Sequence, residues 1–221
     1  MRRFMVLSLA GLMALAVAAP VAAGSHVTNQ SGSFDEAYGS WSSYDAATDI
    51  STNGNVYVYQ ESGQPGFVEG LYEESGRYVD CAVTTGAAVT PKDTGYYGFQ
   101  GMRTSGYGNA TLTLGRKLAG ATASGTIYVE TATVDDCAGT YVVVTSGNVA
   151  LSLSLTGTGP ISTFSDKSSV KIPGALKAHS IYRGESRLAL GVVTYGQGPR
   201  ALSDAQIAHV TWTDHCSGTA C

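Results

Sequence analysis

Asn148-Val149-Ala150-Leu151-Ser152-Leu153-Ser154-Leu155-Thr156 is the stretch that decides the fold class of this chain. Val149, Leu151, Leu153 and Leu155 fall on one side of an extended backbone. Ala150, Ser152, Ser154 and Thr156 fall on the other. Side chains of a strand alternate between two faces, so the stretch is a strand with one face in a core and one in water. The same period recurs on both sides of it. It predicts further strands at 34–44, 55–61, 67–73, 77–84, 95–102, 109–114, 125–134, 140–146, 161–165, 168–172, 176–183, 187–195 and 206–214. Breaks bearing glycine, proline or asparagine separate them, and apolar residues at helical spacing are nearly absent. Many short antiparallel strands imply an all-β fold, an antiparallel β-sandwich held by disulfides. A break at Lys117-Leu118-Ala119-Gly120-Ala121 divides the chain into two consecutive sandwich-like units, 24–118 and 119–221. One large sandwich over 24–221 is the alternative layout.

Residues 1–23 have another character. Arg2-Arg3 precedes an apolar run from Phe4 to Val21, and Val21-Ala22-Ala23 supplies small residues at the positions an export peptidase requires. That pattern predicts a secretory signal peptide cut before Gly24, and hence a secreted, extracellular protein. No second apolar run long enough to span a bilayer follows. Cleavage leaves 11 of the 13 basic residues and all 17 acidic ones, a net charge of −6. A mildly acidic chain without a basic cluster excludes the usual electrostatic footprint of a nucleic-acid binder. With 43% hydrophobic and only 14% charged residues, the chain has the material for a core and lacks the signature of disorder.

A short turn pattern recurs. Asp45-Ala46-Ala47-Thr48-Asp49, Asp135-Asp136-Cys137-Ala138-Gly139 and Asp214-His215-Cys216-Ser217-Gly218 share a leading Asp and a fifth residue suited to positive φ. Tyr72-Glu73-Glu74-Ser75-Gly76 is a looser copy. The Asp carboxylate accepts from the turn's N–H groups, and the fifth residue closes a hairpin. These turns, with Leu155-Thr156-Gly157-Thr158-Gly159-Pro160 and Tyr182-Arg183-Gly184-Glu185-Ser186-Arg187, resemble a loose group of secreted all-β proteins of high-GC Gram-positive and similar bacteria. Leu155 departs from the group's pattern, where a tryptophan is expected. The resemblance implies the fold and carries no activity, cofactor or partner with it.

Four cysteines lie beyond the signal, and an even count in an exported chain implies two disulfides with three connectivities open. Cys216 and Cys221 bracket a four-residue tip that a cross-strand bond can close. Cys81 and Cys137 are then the remaining pair, and their longer loop carries the larger stabilisation. The metal-binding pattern Cys-x-x-Cys is absent.

No catalytic motif stands out. Gly-x-Ser-x-Gly, His-Glu-x-x-His and the phosphate-cradling glycine patterns are all missing. His209 and His215 are too far apart along one strand to share an ion, though His179 could join either of them across a sheet. Carboxylates cluster at Glu69, Glu73 and Glu74 and at Asp135-Asp136. A hydrolase needs two of them facing each other across a cleft. Asp45, Asp49 and Asn53 form a weak oxygen-ligand set for calcium, and turn formation explains the two Asp residues equally well. Tyr57 and Tyr59 alternate with Val56 and Val58. They are either an outward pair that stacks on sugar rings or cross-strand packing that stiffens a sheet. Trp41 and Trp212 are expected in the core.

The sequence therefore predicts a secreted, non-catalytic binding or structural protein, without cofactor, acting at the cell surface or in the medium. A carbohydrate-binding module using Tyr57 and Tyr59 on polysaccharide or cell wall is the first alternative, and a small glycoside hydrolase the second. N-terminal sequencing of the exported protein is expected to begin at Gly24, and an intact Met1 on exported material would contradict the signal assignment.

Overall fold

The computed structural model describes residues 26–81, 96–173, 175–196, 198–218 and 221. The expected signal peptide lies outside them. The chain is all-β and antiparallel. Its strands are β1 (His26–Asp45), β2 (Ile50–Glu61), β3 (Phe67–Cys81), β4 (Tyr96–Leu114), β5 (Gly120–Asp135), β6 (Thr140–Ile172), β7 (Leu176–Tyr195), β8 (Gly198–Ala201) and β9 (Asp204–Gly218). Each strand from β1 to β7 pairs with the next, β9 pairs with both β7 and β1, and β8 adds a short flap to β7. The additional pairing of β6 with β7 joins the two ends of this series, so the single sheet curls round and closes on itself.

β6 makes the closure. It pairs with β5 through Thr140–Thr156 and with β7 through Leu151–Ile172. Only its middle has neighbours on both sides. A strand shared in this staggered way runs obliquely round the molecule, as a closed barrel requires. Leu151, Leu153 and Leu155 point inward from this middle and meet Val56, Leu71, Ile127, Val193 and Ile207 in one buried cluster. Ser152, Ser154 and Thr156 face outward. Each fully buried Leu or Ile contributes about 1.5–3 kcal/mol. The strands on either side of the expected division at 118/119 are β4 and β5. They pair along their length, and residues of both halves share that cluster. The intervening 3₁₀ turn, Arg116–Leu118, inserts Leu118 into it.

The strands are longer than the sequence predicts, because several glycines taken as breaks lie inside strands. The ring of Trp212 covers Gly32, Phe164 covers Gly184 and Trp41 covers Gly54, each from the directly opposite position. Phe99 lies over Gly76 and Gly101. The flat ring needs the space a Cβ would occupy. Two Asp-led turns form as expected. Asp45 accepts from Ala47 N (2.9 Å) and Thr48 Oγ1 (2.8 Å), with Asp49 at φ 55°. Asp135 accepts from Ala138 N at 3.0 Å, with Gly139 at φ 65°. The other two copies are corrected. Asp214–Gly218 belongs to β9, and Tyr72–Gly76 to β3, because continuous ladders on both sides hold them extended. Trp41 is buried as expected, while Trp212 is half-buried on the outer face.

Both expected disulfides are present, Cys81–Cys137 and Cys216–Cys221. The first ties the end of β3 to the β5–β6 turn, and the second fastens Cys221 to the end of β9.

Replacing Gly54 by Ala is expected to cost about 1–3 kcal/mol, since the new methyl overlaps the Trp41 ring. Gly70, with nothing within 4 Å of an added Cβ, is its control, and G70A is expected to stay within about 0.5 kcal/mol of the parent. Denaturant unfolding of the two variants measures the difference.

Candidate functional site

The inside of the ring is filled by side chains, and polar groups lock one end of it. Trp41 on β1, Glu73 on β3, Tyr195 on β7 and Arg200 on β8 converge there. Trp41 Nε1 donates to Glu73 Oε2 at 2.9 Å, and Arg200 Nε donates to the same oxygen at 2.8 Å. The Arg200 guanidinium also lies 5.5 Å from the centre of the Tyr195 ring. Burial alone raises the Glu73 carboxyl, but Arg200 and the indole N–H outweigh it and hold it below its usual value of 4.5. Burial and the Glu73 charge both raise the Tyr195 phenol. The flap β8 is thereby fastened across the opening by a charge-assisted bond.

A second polar cluster lies on the outer face. Arg103 reaches Asp136 (Nη2 to Oδ2, 3.1 Å) and Glu74 (Nε to Oε2, 3.6 Å) and stacks 5.0 Å over Phe99. Tyr72 and Tyr78 both donate to Glu74, at 2.7 and 2.5 Å. Asp136 also accepts from Phe99 N and sits beside the Cys81–Cys137 bridge. Of the carboxylates that suggest a hydrolase, Glu73, Glu74 and Asp136 are engaged in ion pairs, Asp135 accepts from Gln100 and from its own turn, and Glu69 is exposed on β3. Glu73 and Glu74 are successive residues on opposite faces of β3, and they do not share a cleft.

Tyr57 and Tyr59 do not stand free. The Tyr57 hydroxyl donates to Glu36 at 2.5 Å, and burial followed by that carboxylate raises its pKa. The ring of Tyr59 is held between Phe34 (5.2 Å between centroids) and Phe67 (5.4 Å). Both act as cross-strand packing on the outer face. Both oxygens of Asp45 are used within its own turn, Asp49 accepts from Tyr44, and Asn53 pairs with Ser42, three rungs from the Asp45–Ile50 pair. The three do not converge. Among the described residues no group of three or more His, Cys, Asp or Glu is arranged to hold a metal. His179 stacks on its direct partner His215 at 4.9 Å, and His215 Nδ1 lies 2.6 Å from Asn29 Oδ1. His209 pairs separately with Asp35 at 2.6 Å.

Tyr107 and Tyr128 form an exposed pair on the outer face. They are opposite each other on β4 and β5, with centroids 5.9 Å apart and planes at 48°. They are 65% and 37% exposed, and the exposed amides of Asn109 and Asn148 flank them. Nothing local in the sequence marks this pair, because it is made by the β4–β5 register between residues far apart in the chain.

No protein-family model matches the chain, and no curated protein matches it.

Arg200→Ala leaves Glu73 half-buried without its cation and is expected to cost roughly 2–3 kcal/mol. In the parent, the Glu73 contribution is present above pH 4.5 and is lost as pH falls through the depressed folded-state value. R200A lacks that acid-labile contribution, and burial then favours protonated Glu73, so its deficit relative to the parent is expected to shrink as pH falls, as denaturant unfolding at several pH values will measure.

Proposed function

We propose that this is an extracellular, non-catalytic binding protein that takes a neutral polysaccharide chain on the outer face of its barrel, around Tyr107 and Tyr128. The observation that carries the reading is that exposed tyrosine pair, flanked by amides. Aromatic faces stack on the apolar C–H faces of sugars, and amide groups suit sugar hydroxyls. The filled interior leaves recognition to the outer surface. The 48° angle between the rings fits a single twisted chain better than a flat crystalline surface. The signal-like residues 1–23 and the two disulfides support export, because such bonds persist in oxidising compartments. No helix among the described residues is long and apolar enough to cross a membrane. The barrel is apolar within, and its outer face carries many Ser and Thr hydroxyls together with the exposed Leu188, Leu190 and Val192.

Affinity electrophoresis in gels containing soluble neutral polysaccharides tests the reading. Retardation of the parent, and its loss in Y107A/Y128A with an unchanged melting temperature, is expected. Two stacking contacts of about 1 kcal/mol each correspond to a weakening of at least about tenfold. Y57A/Y59A is expected to keep binding and to melt several degrees lower. Binding that survives in Y107A/Y128A would overturn the assignment.

A further inference from the structure

We propose that two copies of this chain associate by antiparallel pairing of the free edge of β6 between Thr140 and Ala150. Among the described residues this length of β6 has β5 on one side and no strand on the other, since pairing with β7 begins only at Leu151. A row of backbone N–H and C=O groups faces outward there, and such an edge accepts another strand.

The character of the edge selects a second copy as its occupant. From Thr140 to Ser165 the chain has no charged side chain. Two identical strands laid antiparallel about a twofold axis therefore bring no like charges together, although the protein as a whole is acidic. Tyr141, Val142, Val143 and Val144 are 54%, 58%, 46% and 48% exposed. Tyr141, Val142 and Val143 alternate between the two faces of this overhanging end and are exposed on both, and Val144 is the one extra residue at the register shift between Thr131 and Ala132. Burying these side chains against their twofold mates removes apolar surface that a lone molecule leaves in water.

The contrast within the same strand is informative. The lower half of β6 is also free on one side, because β5 ends at the Gly120–Thr156 pair. That half bears Pro160, Asp166, Lys167 and Lys171. Proline and lysine are the usual guards against edge-to-edge pairing. The upper half has neither. A twofold pairing uses the same edge on both partners and closes at two copies.

Light scattering coupled to size exclusion, run from micromolar to near-millimolar protein, gives the test. The mature chain is expected to form a dimer, and V142K/V144K to be monomeric, with its dissociation constant raised at least about tenfold and its melting temperature unchanged. Lys171→Ala, which removes a guard from the other half, is expected to leave the dimer as it is. A monomeric parent, a dimer that persists in V142K/V144K, or open-ended oligomers in place of a dimer would each overturn the proposal.

Discussion

β6 is shared, and the rest of the molecule depends on that. Its middle six residues, Leu151–Thr156, have neighbours on both sides, β5 on one and β7 on the other. The shared length joins the ends of the sheet, and the three leucines in it form part of the core cluster. Because β6 runs obliquely, its two ends overshoot the ring in opposite directions. Those overhangs supply an unguarded edge at one end and a charged one at the other. The long extensions of β1, β7 and β9 accompany the lower overhang, and those of β3, β4 and β5 the upper.

Closure has a consequence for function. A ring whose inside is filled with Val, Leu and Ile has no room there for a ligand of ordinary size, and the Glu73–Arg200 pair holds the β8 flap in place. The proposed recognition surface is accordingly on the outside. There Arg103 pairs with Asp136 and Glu74, and His209 with Asp35. Two kinds of outer aromatic bear on the reading. Trp212 and Phe164 lie on glycine seats, and Tyr59 sits between two rings, so all three are structural. Tyr107 and Tyr128 touch each other and face solvent.

Much of the fold was legible in the sequence. Strict alternation at 148–156 declared a half-buried strand, and the Asp-led turns at Asp45 and Asp135 declared hairpins. Both cysteine pairs followed from spacing and elimination. Strand length was not legible, because glycine has two uses in this chain. At Gly139 it takes a positive φ and ends a strand. At Gly32, Gly54 and Gly184 it makes room for a ring from the opposite strand and interrupts nothing. A local window cannot separate these uses, since the ring that occupies the seat lies elsewhere in the chain. The same limit governed the tyrosines. Alternation placed Tyr57 and Tyr59 opposite Val56 and Val58, but whether they face ligand or packing depended on Phe34, Phe67 and Glu36 across the ladder. The pairing of Tyr107 with Tyr128 is a fact of register alone.

Residue-resolved amide hydrogen exchange over Leu151–Thr156 tests the closure most directly. In a ladder, alternate amides donate to opposite neighbours. With β5 on one side and β7 on the other, every amide in this stretch should exchange only through global unfolding. If the sheet is open at this seam, every second amide will exchange orders of magnitude faster than its neighbours, and the closed arrangement will be contradicted.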